Sequence, residues 1–127
     1  MAVDLLLDSS FLIFLVETPS GGFAEVEDKL GKVGPVVLTS VVEELRRIAD
    51  RAAAKRAKAA ARALDYASGL RIVHYSGSGG VDDQILQYAK SSGAAVATLD
   101  AELRRRLRAA GVVVVTLSGN RLVAEGR

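Results

Sequence analysis

The feature that most constrains the fold is a set of short apolar runs that are continuous rather than alternating. Val3–Leu7, Val36–Leu38 and Val112–Leu117 are the strongest; Arg71–His74 and Ala95–Leu99 are weaker. A strand with one wet face alternates apolar and polar residues. A strand that stays apolar is covered on both faces, which is the condition of a parallel sheet between helices. Helical patterns fill the intervals. Gly22–Lys32 is a short amphipathic candidate, and Ser40–Ala49 opens with Ser40-Val41-Val42-Glu43, the spacing of a capping box. Arg51–Ala67 is Ala-rich, Val81–Lys90 turns Ile85, Leu86 and Ala89 inward, and Ala101–Ala110 stops at Gly111. The alternation predicts a parallel α/β sandwich with right-handed crossovers. Phe11–Val16 is apolar all round, so its helix is deeply buried or lies at an interface, which leaves a homodimer open.

The chain has 127 residues, read as one domain over 1–127, with 118–127 as an edge strand or a flexible tail. Its longest apolar run falls far short of the roughly 20 residues that span a bilayer, and no basic segment precedes it. A cytoplasmic protein with no membrane contact is expected. The absence of cysteine excludes a disulfide scaffold, a thiolate metal site and a cysteine nucleophile. The single histidine, His74, excludes a multi-histidine metal site. Any catalysis therefore rests on carboxylates, hydroxyls, Lys or Arg. With 17 Lys and Arg against 15 Asp and Glu, total charge says little about partners; its distribution matters.

In open α/β sheets, sites form at the carboxyl ends of the strands. Asp8 follows the first strand. Thr39, Ser40, Glu43 and Glu44 follow the second. Asp82 and Asp83 come after the Ser76–Gly80 loop, and Thr98 and Asp100 after the next strand. An acid thus lies beyond each of four strand ends. Converging carboxylates repel unless something positive joins them. The natural partner is a hard divalent cation, Mg²⁺ or Mn²⁺, which takes oxygen ligands and assists phosphodiester hydrolysis. Structural uses stand beside this one. Asp82 and Asp100 occupy N-cap positions, and Glu43 closes the capping box with Ser40. Glu44 has no such job, and Asp8 ends a buried strand.

The segments Asp8-Ser9-Ser10, Thr39-Ser40-Val41-Val42-Glu43-Glu44-Leu45, Asp82-Asp83-Gln84-Ile85-Leu86 and Thr98-Leu99-Asp100-Ala101-Glu102-Leu103 resemble, in this order, the PIN-domain ribonucleases. The resemblance implies a three-layer α/β/α sandwich with a five-stranded parallel sheet and an acidic Mg²⁺ or Mn²⁺ site. The family's acids would fall on Asp8, Glu44, Asp83 and Asp100, with Ser10 or Thr98 as a supporting hydroxyl. Glu102 stands where some members carry a further acid. The Asp-Asp-x-Ile-Leu wording and the Leu103-Arg104-Arg105-Arg106-Leu107 helix look most like the rRNA-processing branch; VapC-type toxins share the same acids.

Arg47, Arg51, Lys55, Lys58 and Arg62 recur at spacings that put them on one helical face if the helix runs through Asp50, and such a stripe can track a phosphate backbone. Arg104 and Arg108 form a second stripe. A solvated helix face is the alternative for both. Gly77-Ser78-Gly79-Gly80 lacks the lysine and spacing of a phosphate loop and reads as a flexible approach to the next helix. His74 ends a strand, Ser9 lacks a base, and the three tyrosines are too scattered for base stacking. The expected activity is a divalent-metal-dependent endoribonuclease acting in rRNA processing. The alternatives are a toxin ribonuclease with an antitoxin partner, or a non-catalytic RNA-binding module with a ribosome-assembly partner.

Overall fold

The computed structural model describes residues 2–18 and 24–126. In chain order the elements are β1 (Val3–Leu7), α1 (Ser9–Glu17), α2 (Ala24–Leu30), β2 (Val33–Leu38), α3 (Thr39–Arg51), α4 (Ala54–Ala67), β3 (Arg71–Val73), α5 (Val81–Ser92), β4 (Ala95–Ala97), α6 (Ala101–Ala109), β5 (Val114–Ser118) and β6 (Arg121–Glu125). The sheet order is β3-β2-β1-β4-β5-β6. The first five strands in that order are parallel, as expected, and β6 adds a sixth that runs antiparallel to β5. The 118–127 segment therefore supplies an edge strand. Gly119, at φ +62°, gives the two-residue turn the positive φ its first central position needs. Right-handed crossovers place α1 to α4 and the α5–α6 pair on opposite faces.

The apolar runs become strands because their residues have nowhere wet to point. Leu5, Leu6 and Leu7 are all fully buried in the central strand. β2 starts earlier than the apolar signal, at Val33, and contains Pro35. That is tolerated because β3 begins to pair only at Val36, so at Pro35 the strand is still an edge. Phe11, Leu12 and Ile13 of α1 enter the core, and α1 packs against α3 and α4, so the all-apolar run is largely covered within the chain. The start of the expected 22–32 helix lies outside the described residues. No helix among the described residues is long and apolar enough to cross a membrane.

Two local expectations are corrected. The helix expected from Ser40 begins one residue earlier, with Leu38 at the cap position and no side-chain cap bond. Ser40 therefore sits inside the first turn, its buried hydroxyl makes no hydrogen bond, and Glu43 is exposed rather than closing a box. The Arg47-to-Arg62 stripe also loses its premise. Ala52 (ψ 167°) and Ala53 (ψ 156°) are extended, so α3 and α4 are separate helices. A straight helix from Thr39 to Ala67 would be about 43 Å long, while a strand the length of β2 spans roughly 20 Å. The break folds α4 back over α3 and α1. Ala59, Ala60, Ala63 and Ala67 form its buried face, small enough for close approach.

The Ser76–Gly80 loop is tied down rather than loose. The Gln87 amide donates to the Ser78 carbonyl (2.9 Å) and accepts from the Ser78 N–H (3.2 Å), while Gln84 donates to the Gly79 carbonyl (3.2 Å). A Cβ at Gly77 would lie 2.5 Å from the Tyr75 ring, and Gly79 holds φ +82°. Only glycine fits either place.

Ala63→Leu should overpack the α4 face and cost about 1–3 kcal/mol, read as a lowered urea midpoint. Exposed Glu43→Ala should stay within about 0.5 kcal/mol of wild type. A loss near 1 kcal/mol at Glu43 would restore the capping box.

Candidate active site

Strand order reverses between β1 and β4, and the crevice beyond that point is where open α/β sheets place ligands. Asp8 stands there, directly after β1. It is 5% exposed and caps α1 by accepting the Phe11 N–H at 2.9 Å. Two hydroxyls complete its surroundings. Ser10 Oγ donates to Asp8 Oδ1 at 2.7 Å and accepts the Leu99 N–H at 3.1 Å. Thr98 Oγ1, fully buried, donates a very short hydrogen bond to Asp8 Oδ2 and accepts the Asp100 N–H at 3.0 Å. Both hydroxyls singled out in the sequence thus meet at one carboxylate. Burial pushes the Asp8 carboxyl up to about 6, against the opposing pull of these hydrogen bonds, and the charge of Asp82 adds to the rise.

The other acids come in from three helices. Glu44, half-buried in α3, accepts a 2.6 Å hydrogen bond from Ser9 Oγ. Asp100 caps α6 by accepting the Leu103 N–H at 2.9 Å. The Asp82–Asp83 pair divides unexpectedly. Gly80 is the cap of α5, so Asp83 falls at the third helical position. It accepts the Gly80 N–H at 3.0 Å and pairs with Arg106 at 2.8 Å. The Arg106 hydrogen bond holds its carboxyl below the usual range. Asp82 makes no hydrogen bond or ion pair among the described residues, although the charge of Arg106 acts on it as well. Partial burial raises its pKa, and the charges of Asp100 and Glu44 raise it further. Asp82, not Asp83, is the member of the pair that shares a field with Asp8, Glu44 and Asp100.

The sequence reading weighed Ser9 only as a nucleophile, took Asp82 for a cap where Gly80 is the cap, and gave Arg106 no role of its own. For the acid pair a signal existed, because the third helical position is the one whose side chain reaches back to the cap. Glu102 pairs with Arg105 at 2.5 Å, and His74 bonds Thr39 at 3.1 Å, so neither joins the acids. Of the basic residues, Arg104 forms a two-pronged pair with Glu125 (2.7 and 2.9 Å) and Arg108 reaches the same carboxylate at 3.5 Å. Arg62 donates to the Val16 carbonyl. Arg47, Arg51, Lys55 and Lys58 are exposed.

The side chains that meet at Asp8 offer only oxygen atoms, burial raises the pKa of both Asp8 and Asp82, and the charges of Asp100 and Glu44 add to the rise at Asp82. That chemistry fits a hard divalent cation. Among the described residues no three acids stand close enough to ligate one ion directly. Mg²⁺ keeps several waters and takes one or two carboxylates, so a partly hydrated ion suits this spacing.

The fold matches known structures closely. The PIN domain endonuclease Utp24 superposes with a TM-score of 0.75 at 22% identity, covering 98% of this chain and 92% of that one. A domain of a functionally unknown protein from Methanocaldococcus jannaschii gives 0.60 at 19% identity, covering 98% and 97%. PAE2754 from Pyrobaculum aerophilum gives 0.57 at 23% identity, covering 90% and 92%. Among curated proteins none matches the sequence. The PIN-like domain family matches residues 5–120, nearly the whole chain, and with the doubly wound sheet and the acids at its switch point the protein belongs to that family.

Proposed function

We propose that the protein is a divalent-cation-dependent endoribonuclease that hydrolyses RNA phosphodiester bonds, with rRNA precursors as the substrate class. The observation that carries this reading is the buried Asp8 carboxylate at the switch point, which feels the charge of Asp82, itself within the field of Asp100 and Glu44. Membership of the PIN-like family supports it, as does the fold shared with a PIN domain endonuclease. The rRNA assignment draws further support from Asp82-Asp83-Gln84-Ile85-Leu86 and the arginine-rich α6.

Asp8, Glu44, Asp82 and Asp100 would hold a partly hydrated Mg²⁺ or Mn²⁺, at most two of them directly and the others through its bound waters. The bound cation would supply positive charge and Lewis acidity at a phosphodiester oxygen. Thr98 and Ser10 fix Asp8 in place, each by donating to one of its oxygens. Ser9 fixes Glu44 in the same way. Arg106 engages Asp83, and in this proposal that pair leaves Asp83, which the family resemblance put among the ligands, outside the ligand set. The proposed division of labour is that Asp82 faces the cation while Asp83 fastens α5 to α6.

Asp8→Asn and Asp82→Asn should each lower Mn²⁺-dependent cleavage of a labelled RNA by about 100-fold or more, and Ser9→Ala by about 10-fold. Asp83→Asn should keep most of the activity. Equal losses at Asp82 and Asp83 would return Asp83 to the ligand set, and full activity of Asp8→Asn would remove the site altogether.

Stability should depend on pH through Asp8. Its folded pKa, about 6, lies above the ordinary aspartate value of 3.8, so the folded state holds the proton more tightly. The stabilisation this gives is complete below about pH 4 and is lost as pH rises through 6. The loss is ~3 kcal/mol. In EDTA, Asp8→Asn should therefore gain on wild type between pH 4 and 7, and saturating Mg²⁺ should narrow the gap by binding the folded wild type. Urea midpoints of the two proteins across this range provide the check. A gap independent of pH would contradict it.

A further inference from the structure

Beside Glu44 the break between α3 and α4 leaves an open groove of about 450 Å³, lined by Glu44, Arg47, Ile48, Arg51, Ala52 and Arg56. Glu44, Arg47, Ile48 and Arg51 lie at i, i+3, i+4 and i+7, so they share one face of α3. Arg56 comes from the first turn of α4 and reaches the same groove only because Ala52 and Ala53 are extended. An unbroken helix would carry Arg56 round to another face. Ile48 is part-buried against the core and gives the groove an apolar floor. All three arginines are exposed, and none forms an ion pair among the described residues. The contrast with α6 is sharp. There, Arg104, Arg105, Arg106 and Arg108 are each held by a carboxylate.

Three guanidinium groups with no ion pair among the described residues outnumber the single carboxylate, Glu44, that lines the same groove, a balance that suits an anion. The planar fork of arginine suits phosphate oxygens better than a point charge does. The groove touches the acidic site through Glu44, whose carboxylate is the boundary between them. A polyanion whose reacting phosphate sits at the acids therefore runs its next phosphates over the arginines.

We infer that the α3–α4 groove is a binding subsite for the sugar–phosphate backbone of single-stranded RNA, occupied by phosphates adjacent to the one that reacts, with Arg47, Arg51 and Arg56 as its contacts. The inference rests on the proposed ribonuclease activity for the identity of the polyanion. It separates Arg47 and Arg51, on the groove, from Lys55, Lys58 and Arg62, which do not line it. It also adds Arg56, which lies off the five-residue sequence stripe. The recognition is of backbone, so base sequence should matter little.

The test is fluorescence anisotropy with a fluorescein-labelled 12-nucleotide RNA of mixed sequence, in EDTA so that binding is read apart from cleavage. The combined variant Arg47→Gln, Arg51→Gln, Arg56→Gln should lose about 10-fold or more in affinity near physiological salt. The slope of log affinity against log salt should fall by about 2, as expected for the loss of three contacts to a single strand. The variant Lys55→Gln, Lys58→Gln, Arg62→Gln removes the same charge and should bind within about 3-fold of wild type with a nearly unchanged slope. Equal losses from the two variants would mean a diffuse basic surface, and no saturable binding by wild type would mean no RNA groove; either overturns the inference. A cleavage assay beside it separates the two claims. Groove-dependent binding without cleavage in any divalent ion would leave the subsite standing and remove the ribonuclease reading. Cleavage with affinity and slope unchanged in the groove variant would do the reverse.

Discussion

A carboxylate that is 5% exposed at the end of the central strand is the constraint on which the rest of the site depends. Burying a charge is costly unless it is hydrogen-bonded or neutralised. The chain meets that cost locally and through the fold. Locally, the Phe11 N–H and the Ser10 hydroxyl come from the helix that Asp8 itself caps. Through the fold, Thr98 arrives from the end of β4, ninety residues away. The same two hydroxyls accept the Leu99 and Asp100 N–H groups. One acid thereby joins β1, α1, β4 and α6 at the point where strand order reverses. The hydrogen bonds do not fully offset the burial, since the carboxyl still rises to about 6. That residual cost is what a cation at the site would relieve.

The remaining acids are placed by how helices begin. Asp100 is a cap, and Asp83 reaches back to one. Asp82, one residue earlier than Asp83, has no cap bond or ion pair among the described residues and is close enough to Asp100 and Glu44 to feel their charge. Glu44 is steered from α1 by Ser9. The α3–α4 break brings an arginine from α4 up to a groove whose other end is Glu44. The alanine face of α4 is what makes that return possible, because larger side chains would hold the helices apart.

Much of this was legible in the residues. Leu5-Leu6-Leu7 and Val36-Val37-Leu38 read as strands covered on both faces because their hydrophobicity does not alternate, and the structure buries them all. The acids at strand ends followed from the chemistry of open sheets. What could not be read was set by tertiary packing. Asp50-Arg51-Ala52-Ala53-Ala54 contains no proline or glycine, so nothing local announces the break. The capping-box reading of Ser40 and Glu43 failed by a single residue, since β2 passes into α3 at Leu38 without a polar cap. The order of Asp82 and Asp83 hinged on which glycine caps α5, and both Gly79 and Gly80 were available.

The most direct test is to follow the aspartate carboxyl carbons by NMR while Mg²⁺ is added to metal-free protein. Without metal, the Asp8 carboxyl should titrate near pH 6. Mg²⁺ should lower that value and shift the Asp8 and Asp82 signals together, while Asp83 stays fixed on Arg106. An Asp8 that titrates near 4 and ignores Mg²⁺, or a response at Asp83 without one at Asp82, would contradict it.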